Sequence, residues 1–346
     1  MLQSLSGNNP EHSSYRFAID DISQVGEARR FALVLCADLA FDDIRSGRVG
    51  IIVNELGNNL VRYAKKSQLI FRKFSTKTES GLEILSIDSG PGMDESVTLQ
   101  DGYSTGNTPG TGLGAVKRQS DIFDIYSVLG SGTIIMARVN AKKNSSAVAE
   151  ENAVDHFEVG AINNPLRGEY VSGDGWCVHE TDRGIAVTIV DGLGHGPLAK
   201  EAALKALLVF AENYQAPVSE VLEKIHTDLR PTRGAAVFLL TSTENSFSYT
   251  GVGNIFAVLH TPLKKKVLSS QNGTAGLRIG AVKTQEEQWN VNDYFIFHSD
   301  GLTSRWNIEN YPGITTKHSA ILAALLFRDF DRGTDDTTVV VVRRKM

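Results

Sequence analysis

NELGNNLVRYA at residues 54–64, IDSGPGM at 87–93 and DGYSTGNTPGTGLGAVKRQSD at 101–121 follow one another in this order, and together they decide the fold of the first part of the chain. Around the first stretch, Val49, Ile52, Val53, Leu56, Leu60 and Tyr63 recur at i, i+3 and i+4, which predicts an amphipathic helix beginning near Ser46. Glu55 and Asn59 lie four apart on one face of it, with Arg62 a turn further on. A carboxylate beside an amide oxygen suits a water or hydroxyl activator next to an Mg2+ ligand, because Mg2+ prefers hard oxygen donors. An ordinary polar helix face would contain the same pair. The second stretch sets Asp88 at the end of an apolar strand. Gly90 and Gly92 follow in a loop where missing side chains let a flat ligand reach the backbone. A buried Asp there could accept the adenine amino group. The third stretch is a lid ending in Gly110, Gly112 and Gly114 at the start of a helix, where backbone N–H groups and the positive helix end would hold phosphates. A glycine triplet alone also fits a structural turn. The three in order point to an ATP pocket.

Upstream, Tyr15–Ile19 reads as a strand and Ile22–Leu39 as a helix; downstream, Leu69–Phe74, Leu82–Ile87 and a hairpin turned at Leu129–Gly132 complete helices on a mixed sheet. The segment AKKNSSAVAEENAVD at 141–155 has no apolar periodicity and reads as a linker. This gives domains at 1–140 and 156–346. The second is strand-dense, with helical stretches at Pro197–Tyr214, Val218–Leu229 and Lys317–Phe327, and suggests a sheet sandwich flanked by helices. The class is α+β in two domains.

Four acidic positions stand out in that second part: Asp174 in VSGDGWCV, Asp191 in DGLGHG after the run GIAVTIV, Asp300 after YFIFHS, and Asp335 with Asp336 before TTVVVVRR. Each lies at a strand end or beside a glycine, where a tight turn can aim a short carboxylate inward. Asx turns would account for any one alone. Four in one setting suit two divalent cations, which would activate a water and offset charge on a transferring phosphoryl group. Cys177, in an apolar strand, reads as core rather than nucleophile.

The 346 residues suffice for two cores, and 41% hydrophobic with 22% charged residues is ordinary for a globular protein. A net charge of −5 and short basic runs leave no footprint for nucleic acid. Two distant cysteines give neither a disulfide framework nor a zinc site. No apolar stretch reaches the roughly 18 residues of a membrane span, and the N-terminal MLQSLSGNNPEHSS lacks a leader's basic region and apolar core. A cytoplasmic protein without membrane or nucleic-acid partners is expected.

The first part resembles the GHKL (Bergerat) ATPase superfamily, and within it the RsbT-type anti-sigma switch kinases. NELGNNLVRYA is similar to the N box, IDSGPGM to the first glycine box, and the lid stretch to the second. The resemblance implies Glu55 as activating carboxylate, Asn59 on Mg2+, Asp88 on adenine, and Thr133 as a partner of Asp88. It also implies phosphorylation of a Ser or Thr on a STAS-domain anti-sigma-factor antagonist. Tyr63 stands where many GHKL relatives have a basic residue, as in the RsbT-like branch. The second part resembles the SpoIIE/RsbX-type metal-dependent Ser/Thr protein phosphatases. That implies Mn2+ or Mg2+ held by Asp191 as bridge, the Gly192 carbonyl, Asp174, Asp300 and Asp335, with Asp336 competing for the last place. His195 would hold a phosphate, donate a proton or stabilise its turn. The combined expectation is a bifunctional switch with ATP and metals as cofactors and a STAS-domain protein as partner; a sigma factor and a second copy of the chain are further candidates. The alternative is a phosphatase whose first domain only senses ATP or captures a sigma factor or STAS protein.

Overall fold

The computed structural model describes residues 13–93, 112–141, 155–181 and 184–345. They fall into two units: described residues between 14 and 141 together with Ile308–Arg328, and residues 155–307 with 329–345.

The first unit runs β1 (Ser14–Ala18), α1 (Ile22–Asp38), α2 (Asp43–Tyr63), β2 (Gln68–Ser75), β3 (Ser80–Ile87), α3 (Gly112–Gln119), β4 (Ile122–Ser127) and β5 (Thr133–Asn140). Asp21 starts α1 with a capping box: its carboxylate accepts the N–H groups of Ser23 and Gln24, and the Gln24 amide oxygen accepts the Asp21 N–H. Asp42 caps α2 through the Arg45 N–H at 2.8 Å, so the helix begins earlier than the Ser46 expected from apolar spacing. The strands form one sheet in the order β1-β2-β3-β5-β4. Every neighbouring pair is antiparallel, not mixed as the sequence suggested. Two of the pairings, β2–β3 and β4–β5, are hairpins, which can only be antiparallel. Alternation along the strands divides the sheet faces. Leu69, Phe71, Leu82, Ile84, Ile135 and Ala137 pack with Val25, Leu35, Ile52 and Leu56 of the helices. On the other face Glu83 is buried between Arg72 and Arg138, at 2.8 and 2.6 Å.

The second unit contains β6 (Phe157–Asn164), β7 (Asp174–Glu180), β8 (Ile185–Gly192), α4 (Pro197–Asn213), α5 (Val218–Asp228), β9 (Ala235–Ser242), β10 (Ser246–Val252), β11 (Phe256–His260), β12 (Lys265–Leu268), β13 (Gly273–Thr274), β14 (Arg278–Ile279), β15 (Gln285–Gln288), β16 (Tyr294–His298) and β17 (Thr337–Arg344). Two five-stranded antiparallel sheets, β15-β10-β9-β8-β7 and β12-β11-β16-β17-β6, enclose an aromatic core that includes Trp176, Phe238, Phe247, Tyr249, Phe295 and Phe297. Small residues on α4, Ala202, Ala203 and Ala206, with Leu207 and Phe210, bring it close to Val190, Val237 and Leu239 on the outer face of the first of these sheets. This is the helix-flanked sandwich that the strand density implied.

One excursion departs from a single division near residue 150. Residues 308–328 lie in sequence between Asp300 and Asp335, yet group with the first unit. They carry most of α6 (Ser319–Phe330), in which Ser319 to Phe327 are all buried. A helix apolar on every side needs cover on every side. Its ties within the first unit are specific: the His318 N–H donates to Asp124 Oδ2 at 2.6 Å, Arg16 lies 5.7 Å over the Phe327 ring, and Arg328 donates to the Asp88 carbonyl at 3.1 Å.

Candidate functional site

Strand pairing gathers the aspartates of the second unit. Asp174 opens β7 directly opposite Asp191 in β8. Asp300 lies just past β16, and Asp335 and Asp336 just before its antiparallel neighbour β17. Ser299 fastens these ends: its hydroxyl donates to Asp174 Oδ2 at 2.5 Å and accepts the Thr338 N–H at 3.0 Å. The end of β8 passes so near α4 that a Cβ on Gly192 would lie 2.2 Å from the Ala199 carbonyl oxygen. Asp335 and Asp336 differ in commitments. Both oxygens of Asp336 accept backbone N–H groups, from Leu166 at 2.7 Å and Gly173 at 2.8 Å. Asp335 accepts only the Asp336 N–H among the bonds found here, at 2.8 Å through Oδ1.

The group is electrostatically strained. Burial first, then the charges of Asp174, Asp300, Asp335 and Asp336, push the Asp191 carboxyl up to about 9. Burial likewise carries Asp174 up to about 7 against the Ser299 bond, and raises Asp300 and Asp336. Like-charged oxygens held together out of water call for positive charge, and an all-oxygen donor set suits hard divalent cations. Among the described residues no three acidic, His or Cys side chains stand close enough to hold one ion by themselves. The set therefore fits ions that keep much of their water shell. At the mouth, His195 Nδ1 is 2.6 Å from Glu169 Oε1.

In the first unit, a Cβ at Gly112 would stand 2.9 Å from Glu55 Oε2 and 3.9 Å from both amide atoms of Asn59. The start of α3, with Gly114 in its first turn, thus abuts the polar face of α2. Asp88, 8% exposed, follows β3. Burial raises its carboxyl, whose Oδ1 accepts the Gly90 N–H at 2.7 Å. Gly92 has φ +66°, and a Cβ there would meet the Val128 carbonyl oxygen at 2.1 Å. Thr133 touches Asp88 through its backbone: its carbonyl accepts the Asp88 N–H at 3.0 Å, while its hydroxyl is 2.9 Å from Ser127 Oγ. Gly110 and the lid up to Thr111 lie outside the described residues.

Sequence reasoning missed Ser299, Glu169 and Arg328. Short polar residues beside an acid offer no periodic signal, and Arg328 meets Asp88 across 240 positions. Cys36 and Cys177 are free and buried, and burial pushes their thiols up to about 11 and about 12, which removes both as nucleophiles at neutral pH. No helix among the described residues is long and apolar enough to cross a membrane.

Comparison with known proteins separates the same two parts. Residues 19–138 match the histidine kinase-like ATPase domain, and residues 181–345 match the stage II sporulation protein E (SpoIIE) family. The serine/threonine-protein kinase RsbT of Bacillus subtilis (strain 168) is 35% identical over 111 residues, covering 32% of this chain and 84% of RsbT. The phosphoserine phosphatase RsbX of the same organism is 29% identical over 159 residues, covering 44% of this chain and 77% of RsbX. A crystal structure of RsbX in complex with magnesium shares the fold of the second part, with a TM-score of 0.51 and 21% identity over 56% of this chain and 98% of that one. The chain therefore belongs to the histidine kinase-like ATPases related to RsbT and carries, in the same polypeptide, a SpoIIE-type phosphatase domain related to RsbX.

Proposed function

We propose that this chain is a reversible switch that phosphorylates a Ser or Thr of a STAS-domain antagonist with ATP and hydrolyses phosphoserine or phosphothreonine on the same or a sister protein. The observation that carries it is double: aspartates from separate strand ends share one electrostatic cluster, and Gly112 lies against Glu55 and Asn59. In the ATPase part, Glu55 would take the proton from the attacking hydroxyl, the Asn59 amide oxygen would hold Mg2+, and Asp88 would accept the adenine amino group. N–H groups at the start of α3 receive phosphate oxygens. In the phosphatase part, Asp174, Asp191, Asp300, Asp335 and the Gly192 carbonyl would hold two Mn2+ or Mg2+ ions, with Asp336 bracing the loops. The ions would activate a water and neutralise the phosphoryl oxygens. His195, oriented by Glu169, stands ready to bind the phosphate or return a proton to the leaving hydroxyl.

Intact-mass spectrometry of a STAS-domain protein incubated with Mg2+, Mn2+, ATP and the Asp191→Ala variant should show the gain of one phosphate. Wild type without ATP should then remove it. Asn59→Ala should lose the first reaction and keep the second. Removal without any gain would leave a phosphatase with an ATP-sensing or partner-binding module attached.

A further inference from the structure

Beside the aspartate cluster lies a half-open cavity of about 320 Å³ that the hydrolytic reading does not use. It shares one wall with that cluster, because Asp300 lines it and Asn254 holds Asp300 Oδ2 at 2.6 Å. His298, also in the lining, is tied in place on both sides. Trp306 Nε1–H donates to His298 Nε2 at 3.1 Å, and His298 Nδ1–H donates to the Ser299 carbonyl at 2.8 Å. Both imidazole nitrogens are thereby committed, and the ring is a neutral wall rather than a proton carrier. The Phe256 ring stands 4.9 Å from it, and the Lys265 ammonium lies 3.5 Å over the Trp306 ring.

The remaining lining carries positive charge. Arg305 and Arg332 both line the cavity and are exposed. The Arg305 guanidinium has no hydrogen bond or ion pair among the described residues. Arg332 donates to the Asp300 carbonyl at 3.1 Å, and its N–H donates to the Gly301 carbonyl at 2.9 Å, so its position is fixed; its charge opposes the burial that raises the Asp300 carboxyl, and among the described residues no carboxylate stands within ion-pair distance of it. A guanidinium without a bonded partner, at Arg305, and a fixed one that is not ion-paired, at Arg332, line a half-open cavity beside the aspartate cluster and suit a carboxylate carried by the substrate. The volume, at the small end of ligand pockets, is ample for a single side chain.

We propose that this cavity is the docking subsite for an acidic side chain flanking the phosphoserine of the protein substrate, with Arg305 and Arg332 as its partners. The inference rests on the phosphatase reading and sharpens it: selectivity comes from a carboxylate read outside the cation site.

The test uses the full chain with Mn2+. Hydrolysis of p-nitrophenyl phosphate by wild type is measured first; no hydrolysis would overturn the phosphatase reading and this one with it. Phosphoserine peptides then carry Glu at one flanking position at a time, each against its Gln counterpart. At one position wild type should favour Glu in kcat/KM by roughly three- to tenfold, the scale of a partly exposed charge-assisted pair. Arg305→Gln should reduce that ratio, Arg305→Lys should restore part of it, and Arg305→Gln combined with Arg332→Gln should bring it to about one. A wild-type ratio of one at every position, or a preference surviving the double substitution, overturns the assignment.

Discussion

Asp191→Asn is expected to stabilise the cation-free protein while ending phosphate hydrolysis. Burial and four neighbouring acids raise this carboxyl from its ordinary 3.8 up to about 9. Because the folded-state pKa is the higher one, the bound proton stabilises the fold fully below about pH 4. That stabilisation is lost as pH rises and is gone above about pH 9. About three pH units separate the ordinary value from pH 7, each carrying about 1.4 kcal/mol, which sets a ceiling of about 4 kcal/mol. Protons shared with Asp174, itself raised to about 7, reduce this to roughly 1–3 kcal/mol. Asparagine preserves the shape without the charge, so its advantage should be small near pH 4–5 and grow toward pH 8. At about 2–4 °C per kcal/mol for a unit of this size, the gain in Tm at pH 8 is roughly 2–12 °C. Differential scanning calorimetry in EDTA measures it, following the transition that moves when Mn2+ is added. Saturating Mn2+ should reverse the order, since ligand binding to the folded state favours the chain that binds more tightly. If the variant gains nothing in EDTA, or its gain does not grow with pH, Asp191 is not held against its neighbours' charge.

In the first unit, burial alone would raise Glu83, and Arg72 and Arg138 outweigh it, holding the carboxyl below its usual range. Glu83→Gln should therefore take from two buried guanidiniums the carboxylate they share and cost about 3–5 kcal/mol, read by urea denaturation; a loss under about 1 kcal/mol would mean that Glu83 is not what holds them. Gly132 has φ +81°, and an added Cβ would meet the Asp88 carbonyl oxygen at 2.1 Å. Gly132→Ala should displace Asp88 and weaken ATP binding by about tenfold or more, measured with a fluorescent nucleotide; unchanged affinity would detach Asp88 from the adenine pocket. Arg328→Met removes one hydrogen bond to that carbonyl, worth about 0.5–1.5 kcal/mol, and should weaken nucleotide binding roughly two- to tenfold. Residues 1–141 expressed alone lack α6 and should bind a hydrophobic dye that the full chain does not; equal dye binding would show that α6 is dispensable to the unit.

Legibility followed the range of the interaction. The α2 helix, with Glu55 and Asn59 on one face, could be read because its information is local and periodic. The aspartates could be read because each lies at one end of an apolar run and most adjoin a glycine. What failed was set by pairing across the chain. Strand direction in the first sheet depends on which strands meet, and apolar content does not encode that. The choice between Asp335 and Asp336 turns on backbone N–H groups of Leu166 and Gly173, more than 160 positions away. Arg305 and Arg332 look like any solvated arginine until the loops after β16 and before β17 bring them to one cavity.

The path of the chain also bears on the proposed pair of opposed activities. The segment leaving Asp300 enters the first unit at residue 308, runs through α6, and leaves it at residue 328 before reaching Asp335. Two candidate cation ligands are therefore the anchors of a loop whose middle belongs to the ATPase unit. The same loop ends in Arg328, which donates to the backbone of Asp88. A buried helix cannot shift alone, since its packing has few alternative arrangements. The ATPase-like unit is thus completed by sequence lying between two candidate ligands of the other site.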